Sequence, residues 1–233
     1  MNKSDSERLS TGLSQLGLKE NKDLESSDVV VLNTCVVRQS AEDTATGLLG
    51  KLKRIKKIKP EIVIAVMGCM VGPTSKDLSR RFPHVDVWAR PQEFQKILDP
   101  VSQTFNNDDS GCAPDLVPAK PNVASYIPII HGCDKFCSFC IIPYRRGREI
   151  SKTIPEVKAE VEKLVRRGVK EVTLLGQNVD SFGHDLDPRV DLADLLEVIN
   201  SVEGLIRLRF LTSHPKSYCT LEPVHRLSRL YQI

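Results

Sequence analysis

The sequence predicts an α/β fold built on parallel sheets, and three observations predict it. Apolar, β-branched runs at 29–32 and 62–67 are continuous rather than alternating, as in strands buried on both faces. Helical patterns fall between such runs, and strands that alternate with helices argue for parallel pairing. A stretch rich in Gln, Asn, Asp, Ser, Gly and Pro at 101–124 breaks the rhythm, and a new α/β unit starts after it.

The elements follow in order. Residues 5–18 carry Leu9, Leu13, Leu16 and Leu18 at helical spacing, with Ser4 or Asp5 as the expected cap. The first strand opens at Asp28 and ends at Asn33-Thr34-Cys35. Residues 40–58 read as a helix with Leu48, Leu49, Leu52, Ile55 and Ile58 on one face. The second strand, 62–67, runs straight into Gly68-Cys69, and a short third strand is expected at 85–88. Beyond the break, 126–130 reads as a strand whose Pro128 favours an edge position. Residues 155–167 form an amphipathic helix, with Pro155 at its start and Gly168 just past its end. A strand at 171–176, a helix at 192–202 and a strand at 205–211 complete the reading. The expected division is a domain at 1–98, a linker at 99–124 and a domain at 125–233.

Composition sets the outer limits. Hydrophobic residues make up 40% and charged residues 27% of 233, an ordinary globular mix that excludes disorder of the whole chain. The apolar runs are too short for a membrane-spanning helix, and the N-terminal residues lack the apolar core of a secretory signal. A cytoplasmic location without membrane contact is expected. Net charge is +3, from 33 basic and 30 acidic residues, which neither requires nor excludes a nucleic-acid partner. Seven cysteines in such a chain point to metal or redox chemistry rather than disulfides.

Three of them form the strongest motif, His131-Gly132-Cys133-Asp134-Lys135-Phe136-Cys137-Ser138-Phe139-Cys140. Three thiolates in one loop can hold three irons of a cubane cluster and leave the fourth open to a small molecule. Zinc would need a fourth protein ligand, for which His131 is the alternative. Cys35 and Cys69 each follow a buried strand, so parallel pairing would bring them to one sheet edge as ligands of a second centre; two ordinary buried cysteines are the competing reading. Gln177 and Asn178 follow the strand at 171–176, where they could hold a cofactor or simply form a polar turn and helix cap. Ser213 and His214 follow the next strand in the same way. Arg145, Arg146 and Arg148 adjoin the cysteine loop and are candidates for substrate phosphate or cofactor carboxylate. The basic run at 51–59 reads better as a solvated helix end than as a phosphate contact.

These residues together resemble the radical S-adenosylmethionine methylthiotransferases. The resemblance rests on Asn33-Thr34-Cys35, Met67-Gly68-Cys69, the cysteine triplet and the run from Phe139 through Ser151. Within that family, Leu174-Leu175-Gly176-Gln177-Asn178-Val179 and Thr212-Ser213-His214-Pro215 favour the branch that modifies isopentenylated tRNA. The resemblance implies an N-terminal open parallel-sheet methylthiotransferase domain followed by a partial radical-SAM (βα) barrel. It implies two 4Fe–4S clusters, one on Cys133, Cys137 and Cys140 and the other on Cys35 and Cys69. S-adenosylmethionine is the implied cofactor, held in part by Phe139, Gln177, Asn178, Ser213 and His214, with Arg145, Arg146 and Arg148 toward the substrate. Reductive cleavage of this cofactor would give a 5′-deoxyadenosyl radical. The implied activity adds a methylthio group to carbon 2 of N6-isopentenyladenosine beside the anticodon. The implied partners are tRNA and an electron donor such as flavodoxin or ferredoxin, and the oligomeric state stays open. Other branches act on threonylcarbamoyl-adenosine or a ribosomal protein, and a non-catalytic iron–sulfur or zinc module is the alternative of another class.

The family pattern differs at both ends. It places a strand and a first cysteine ahead of the pair that is Met1-Asn2 here, and six barrel units plus an RNA-binding domain where about three strands fit here. Truncation at both ends is therefore expected, with Cys112 and Cys219 unassigned.

Overall fold

A computed structural model of the chain describes residues 1–37, 39–72, 75–105, 116–118 and 121–214. The chain divides into two compact units, Asn2–Leu116 with Tyr144–Arg146, and Val117–Pro143 with the chain from Gly147 onward.

The first unit runs α1 (Asn2–Gln15), β1 (Val29–Thr34), α2 (Gln39–Ile58), β2 (Val63–Gly68), α3 (Lys76–Arg81), β3 (Val87–Ala89) and α4 (Gln95–Thr104). Its sheet has the order β1-β2-β3, parallel throughout. The continuous apolar run of β2 has a structural cause, because both of its faces are covered. Ile64 and Val66 pack with Leu49 and Leu52 of α2. Val63, Ala65 and Met67, on the opposite face, pack with Leu9 of α1 and Ile97, Leu98 and Val101 of α4. A strand so enclosed gains nothing from polar alternation.

Four differences from the sequence reading stand out here. Helix α1 begins at Asn2, so Ser4 and Asp5 are buried inside it rather than capping it. The linker expected from 99 starts instead as the last turns of α4. Burial of Ile97, Leu98 and Val101 keeps the chain helical through Pro100. The third strand lies slightly later than expected, at Val87–Ala89. Helix α3 was not expected; six residues give too little periodicity to read.

The second unit contains β4 (Ala124–Pro128), β5 (Ile130–His131), α5 (Ile142–Arg146, whose last three residues fall to the first unit), β6 (Ile150–Ser151), α6 (Ile154–Arg166), β7 (Glu171–Leu175), α7 (Leu192–Asn200) and β8 (Arg207–Leu211). Its main sheet has the order β4-β7-β8, again parallel, with Pro128 opposite Leu175 and Leu175 opposite Leu211. Among the described residues β4 is an edge strand, as its proline predicts. Val157, Val161 and Leu164 of α6 and Leu195, Leu196 and Ile199 of α7 pack over Ile127, Leu174 and Leu208. The strand expected at 126–130 divides in two: β4 joins the parallel sheet, while β5 turns away to pair antiparallel with β6, Ile130 opposite Ser151.

Candidate functional site

Three chain segments leave the C-terminal ends of adjacent parallel strands in the second unit. The segment after β4 leads through β5 to Cys133, that after β7 carries Gln177 and Asn178, and that after β8 carries Ser213 and His214. Parallel α/β sheets place their ligand sites at this edge. The latter two segments are tied together: the Val179 amide donates to the Thr212 carbonyl (3.1 Å) and the His214 amide to Asp180 Oδ2 (2.7 Å). Asp180, which the sequence reading missed, thus fixes the backbone at His214. It lies in a 3₁₀ turn (Val179–Ser181) too short to leave a periodic signal. Asn178 is 3% exposed; its Nδ2 donates to Ser181 Oγ (2.6 Å), while its buried Oδ1 has no partner. A buried acceptor left open is an appropriate feature for a bound donor group. Gln177 is half-buried and Ser213 exposed.

The cysteine loop leaves β5 through Gly132, whose φ is +72° and whose α-carbon faces the Arg148 carbonyl too closely for any side chain. The Cys133 amide donates to the Gly147 carbonyl (3.1 Å), and the Cys140 amide to the Cys137 carbonyl (2.9 Å). Cys133 is buried, whereas Cys137 and Cys140 are half-buried, and all three are free thiols. Burial pushes the Cys133 thiol up; Glu149, Cys140 and Cys137 add to this, and a hydrogen bond from the Lys135 backbone opposes it. Among the described residues no three Cys, His, Asp or Glu side chains converge on a single point that would grip one ion. A cubane sets a different requirement, since each thiolate binds its own iron, and three soft donors spread along one loop fit it. His131, the alternative zinc ligand, lies in β5 opposite Ile150.

The neighbours of the loop are now placed. Phe139 is 91% exposed, and Phe136 is held at φ 45° under the Arg148 guanidinium, 5.9 Å from its ring centre. Arg148 is mainly exposed and pairs with Asp134 (3.1 Å). Arg145 is half-buried, and its Nε has no partner. Arg146 differs from what its place in the sequence suggests. It is buried in the first unit, donating to Asn2 Oδ1 (2.9 Å) and standing 3.5 Å from Asp5. Its Nη2 is engaged by these two partners, while its buried Nε and Nη1 have none.

In the first unit, β1 and β2 run in register through Thr34 opposite Gly68, so Cys35 and Cys69 are the next residues on neighbouring strands. The Cys69 amide donates to the Thr34 carbonyl (3.1 Å), and Thr34 Oγ1 donates to the Met67 carbonyl (2.8 Å) while accepting from the Met70 amide (3.2 Å). Cys69 is buried and Cys35 half-buried. Register thus brings these two cysteines to one sheet edge. Cys112 and Cys219 lie outside the described residues.

Residues 1–90 match the uncharacterized protein family UPF0004, and residues 127–230 match the Radical SAM superfamily. Three relatives bear the name tRNA-2-methylthio-N(6)-dimethylallyladenosine synthase. That of Desulfitobacterium hafniense is 42% identical over 93% of this chain and 51% of its own length. That of Herpetosiphon aurantiacus is 41% identical over 100% and 53%, and that of Chloroflexus aurantiacus 43% over 98% and 50%. The chain spans about half the length of the curated relatives it matches. The cysteine loop at a parallel-sheet edge falls within the second of these matches, so the chain carries a UPF0004 domain followed by a radical SAM domain.

Proposed function

We propose that this chain carries the cofactor-handling part of a radical S-adenosylmethionine methylthiotransferase that adds a methylthio group to carbon 2 of N6-isopentenyladenosine in tRNA. One observation carries the reading: Cys133, Cys137 and Cys140 share a loop that leaves the same sheet edge as Gln177-Asn178 and Ser213-His214. The names borne by the relatives supply the substrate class.

In this reading Cys133, Cys137 and Cys140 hold a 4Fe–4S cluster, and Cys35 and Cys69 contribute to a second. A reduced cluster held by these three thiolates would supply the electron for reductive cleavage of S-adenosylmethionine. The chain's own residues do the remaining work. The open Asn178 Oδ1 and the Gln177 amide bind and orient the cofactor's donor groups, with Ser213 and His214 beside them. Phe139 offers an aromatic face to the cofactor. Arg145 and Arg148 take the anionic side of substrate or cofactor. A cytoplasmic setting and a small electron-transfer protein as reductant belong to the same proposal. Among the described residues no helix is long and apolar enough to cross a membrane.

Anaerobic reconstitution with iron and sulfide tests this. The wild-type chain is expected to take up both and to cleave S-adenosylmethionine to 5′-deoxyadenosine, and a Cys137→Ser/Cys140→Ser variant is expected to take up less of both and to cleave none. Nucleoside mass analysis of isopentenylated tRNA after incubation reads the transfer step. Uptake of zinc without sulfide by the wild-type chain would overturn the proposal.

A further inference from the structure

The cysteine loop departs from β5 and returns to β6, and its two limbs are laced together close to the first ligand. The Asp134 amide donates to Glu149 Oε1 (3.1 Å), and the Glu149 amide donates to Asp134 Oδ1 (3.2 Å). Each carboxylate thus accepts the other residue's backbone N–H. Asp134 Oδ1 also receives Arg148 Nε (3.1 Å), and the Cys133 amide is used by the Gly147 carbonyl (3.1 Å). The amides of Cys133 and of the residue after it are therefore both committed to the return limb. Gly132 lies so close to the Arg148 carbonyl that the limbs cannot approach further.

Beyond Asp134 the backbone takes positive φ at Phe136, turns at Cys137–Cys140, and continues into α5. Three thiols on such a loop keep their spacing about a cluster only if its base is fixed. We infer that Glu149 is the positioning residue of the cysteine loop, acting as a hydrogen-bond acceptor for the Asp134 amide and so setting the pitch at Cys133. The inference rests on the reading of Cys133, Cys137 and Cys140 as cluster ligands. It goes further by naming what holds them.

An acceptor role separates two substitutions. Glu149→Gln retains an oxygen at the same distance from the backbone, whereas Glu149→Ala removes it. Glu149 is half-buried, so neither change opens a core cavity. Backbone hydrogen exchange of the apo chain reads the clamp directly. Exchange at the Asp134 amide is expected to speed up roughly ten-fold in Glu149→Ala, the scale of one lost hydrogen bond, and to stay unchanged in Glu149→Gln. After anaerobic reconstitution, Glu149→Ala is expected to lose most of its bound iron and sulfide and the electron paramagnetic resonance signal of the reduced cluster. Glu149→Gln is expected to keep them. Wild-type loading and unchanged Asp134 exchange in Glu149→Ala would overturn the inference, as would equal defects in both variants, which would point to the charge. A wild-type chain that takes up no sulfide overturns the cluster reading itself, and the exchange rates still decide whether the clamp exists.

Discussion

Thr34 shows how much one hydroxyl does at the joint between β1 and β2. It is 2% exposed, donates to the Met67 carbonyl and accepts from the Met70 amide, while its own carbonyl receives the Cys69 amide and Asn2 Nδ2. Thr34→Val keeps the shape and deletes both side-chain bonds. Removing a partner from buried backbone groups costs about 1–3 kcal/mol. The expected result is a lower urea midpoint at unchanged slope, together with greater reactivity of Cys69 toward a thiol reagent. His84 gives a prediction of another kind. Its Nε2 lies 2.9 Å from the Leu49 carbonyl, and burial lowers its pKa from 6.5, with the Leu49 hydrogen bond opposing this. The folded chain then binds the His84 proton more weakly than the unfolded chain does. Its contribution to stability is complete above 6.5 and is lost as pH falls through the depressed value. A His84→Gln variant, which retains a donor for Leu49, should show a flatter stability curve over that interval.

At the scale of elements, α6 is the part the sequence disclosed best. Its start is a capping box: Glu156 Oε2 accepts the Thr153 amide (2.7 Å), the Glu156 amide reaches Thr153 Oγ1 (3.4 Å), and Gly168 follows the helix end with φ +95°. Thr153→Ala should cost roughly 1 kcal/mol of stability. Hydrogen bonds from Thr153 hold the Glu156 carboxyl below its usual value of 4.5, so the benefit of the box is present above that value and fades as pH falls through the lowered one. Thermal melts of wild type and Thr153→Ala should converge in acid. Elements that were not legible have a common physical cause. α5 has five residues and β6 two, too few to show a period. The start of α1 was misplaced because its first turn is fixed by tertiary partners. Asn33 Nδ2 donates to the Asn2 carbonyl (2.9 Å) and to Ser6 Oγ (2.8 Å), contacts between residues about 30 apart that no local pattern records.

Across the whole molecule, the site was legible where chemistry depends on spacing and illegible where it depends on packing. Three cysteines within eight residues marked out one loop at the sheet edge, and two cysteines after parallel strands announced a shared edge. Arg145, Arg146 and Arg148 looked alike in sequence, yet only Arg146 is buried against a carboxylate, and only coordinates separate them. The two cysteine sets also differ in what holds them, which leads to a last prediction. The triplet lies on one short loop, so gathering it about a cluster closes little chain and costs little entropy. Cys35 and Cys69 are held by strand register, but two thiols are one fewer than the triplet offers. A Cys133→Ala/Cys137→Ala/Cys140→Ala variant should therefore lose about four irons per chain and all cleavage of S-adenosylmethionine. A Cys35→Ala/Cys69→Ala variant should lose less iron and retain that cleavage, since the Asn178 and Asp180 segments leave the same sheet edge as the triplet's loop. Iron and sulfide assays combined with 5′-deoxyadenosine measurement decide the matter. Loss of cleavage in the pair variant, with the triplet cluster still visible by electron paramagnetic resonance, would show that the division of roles between the two cysteine sets is wrong.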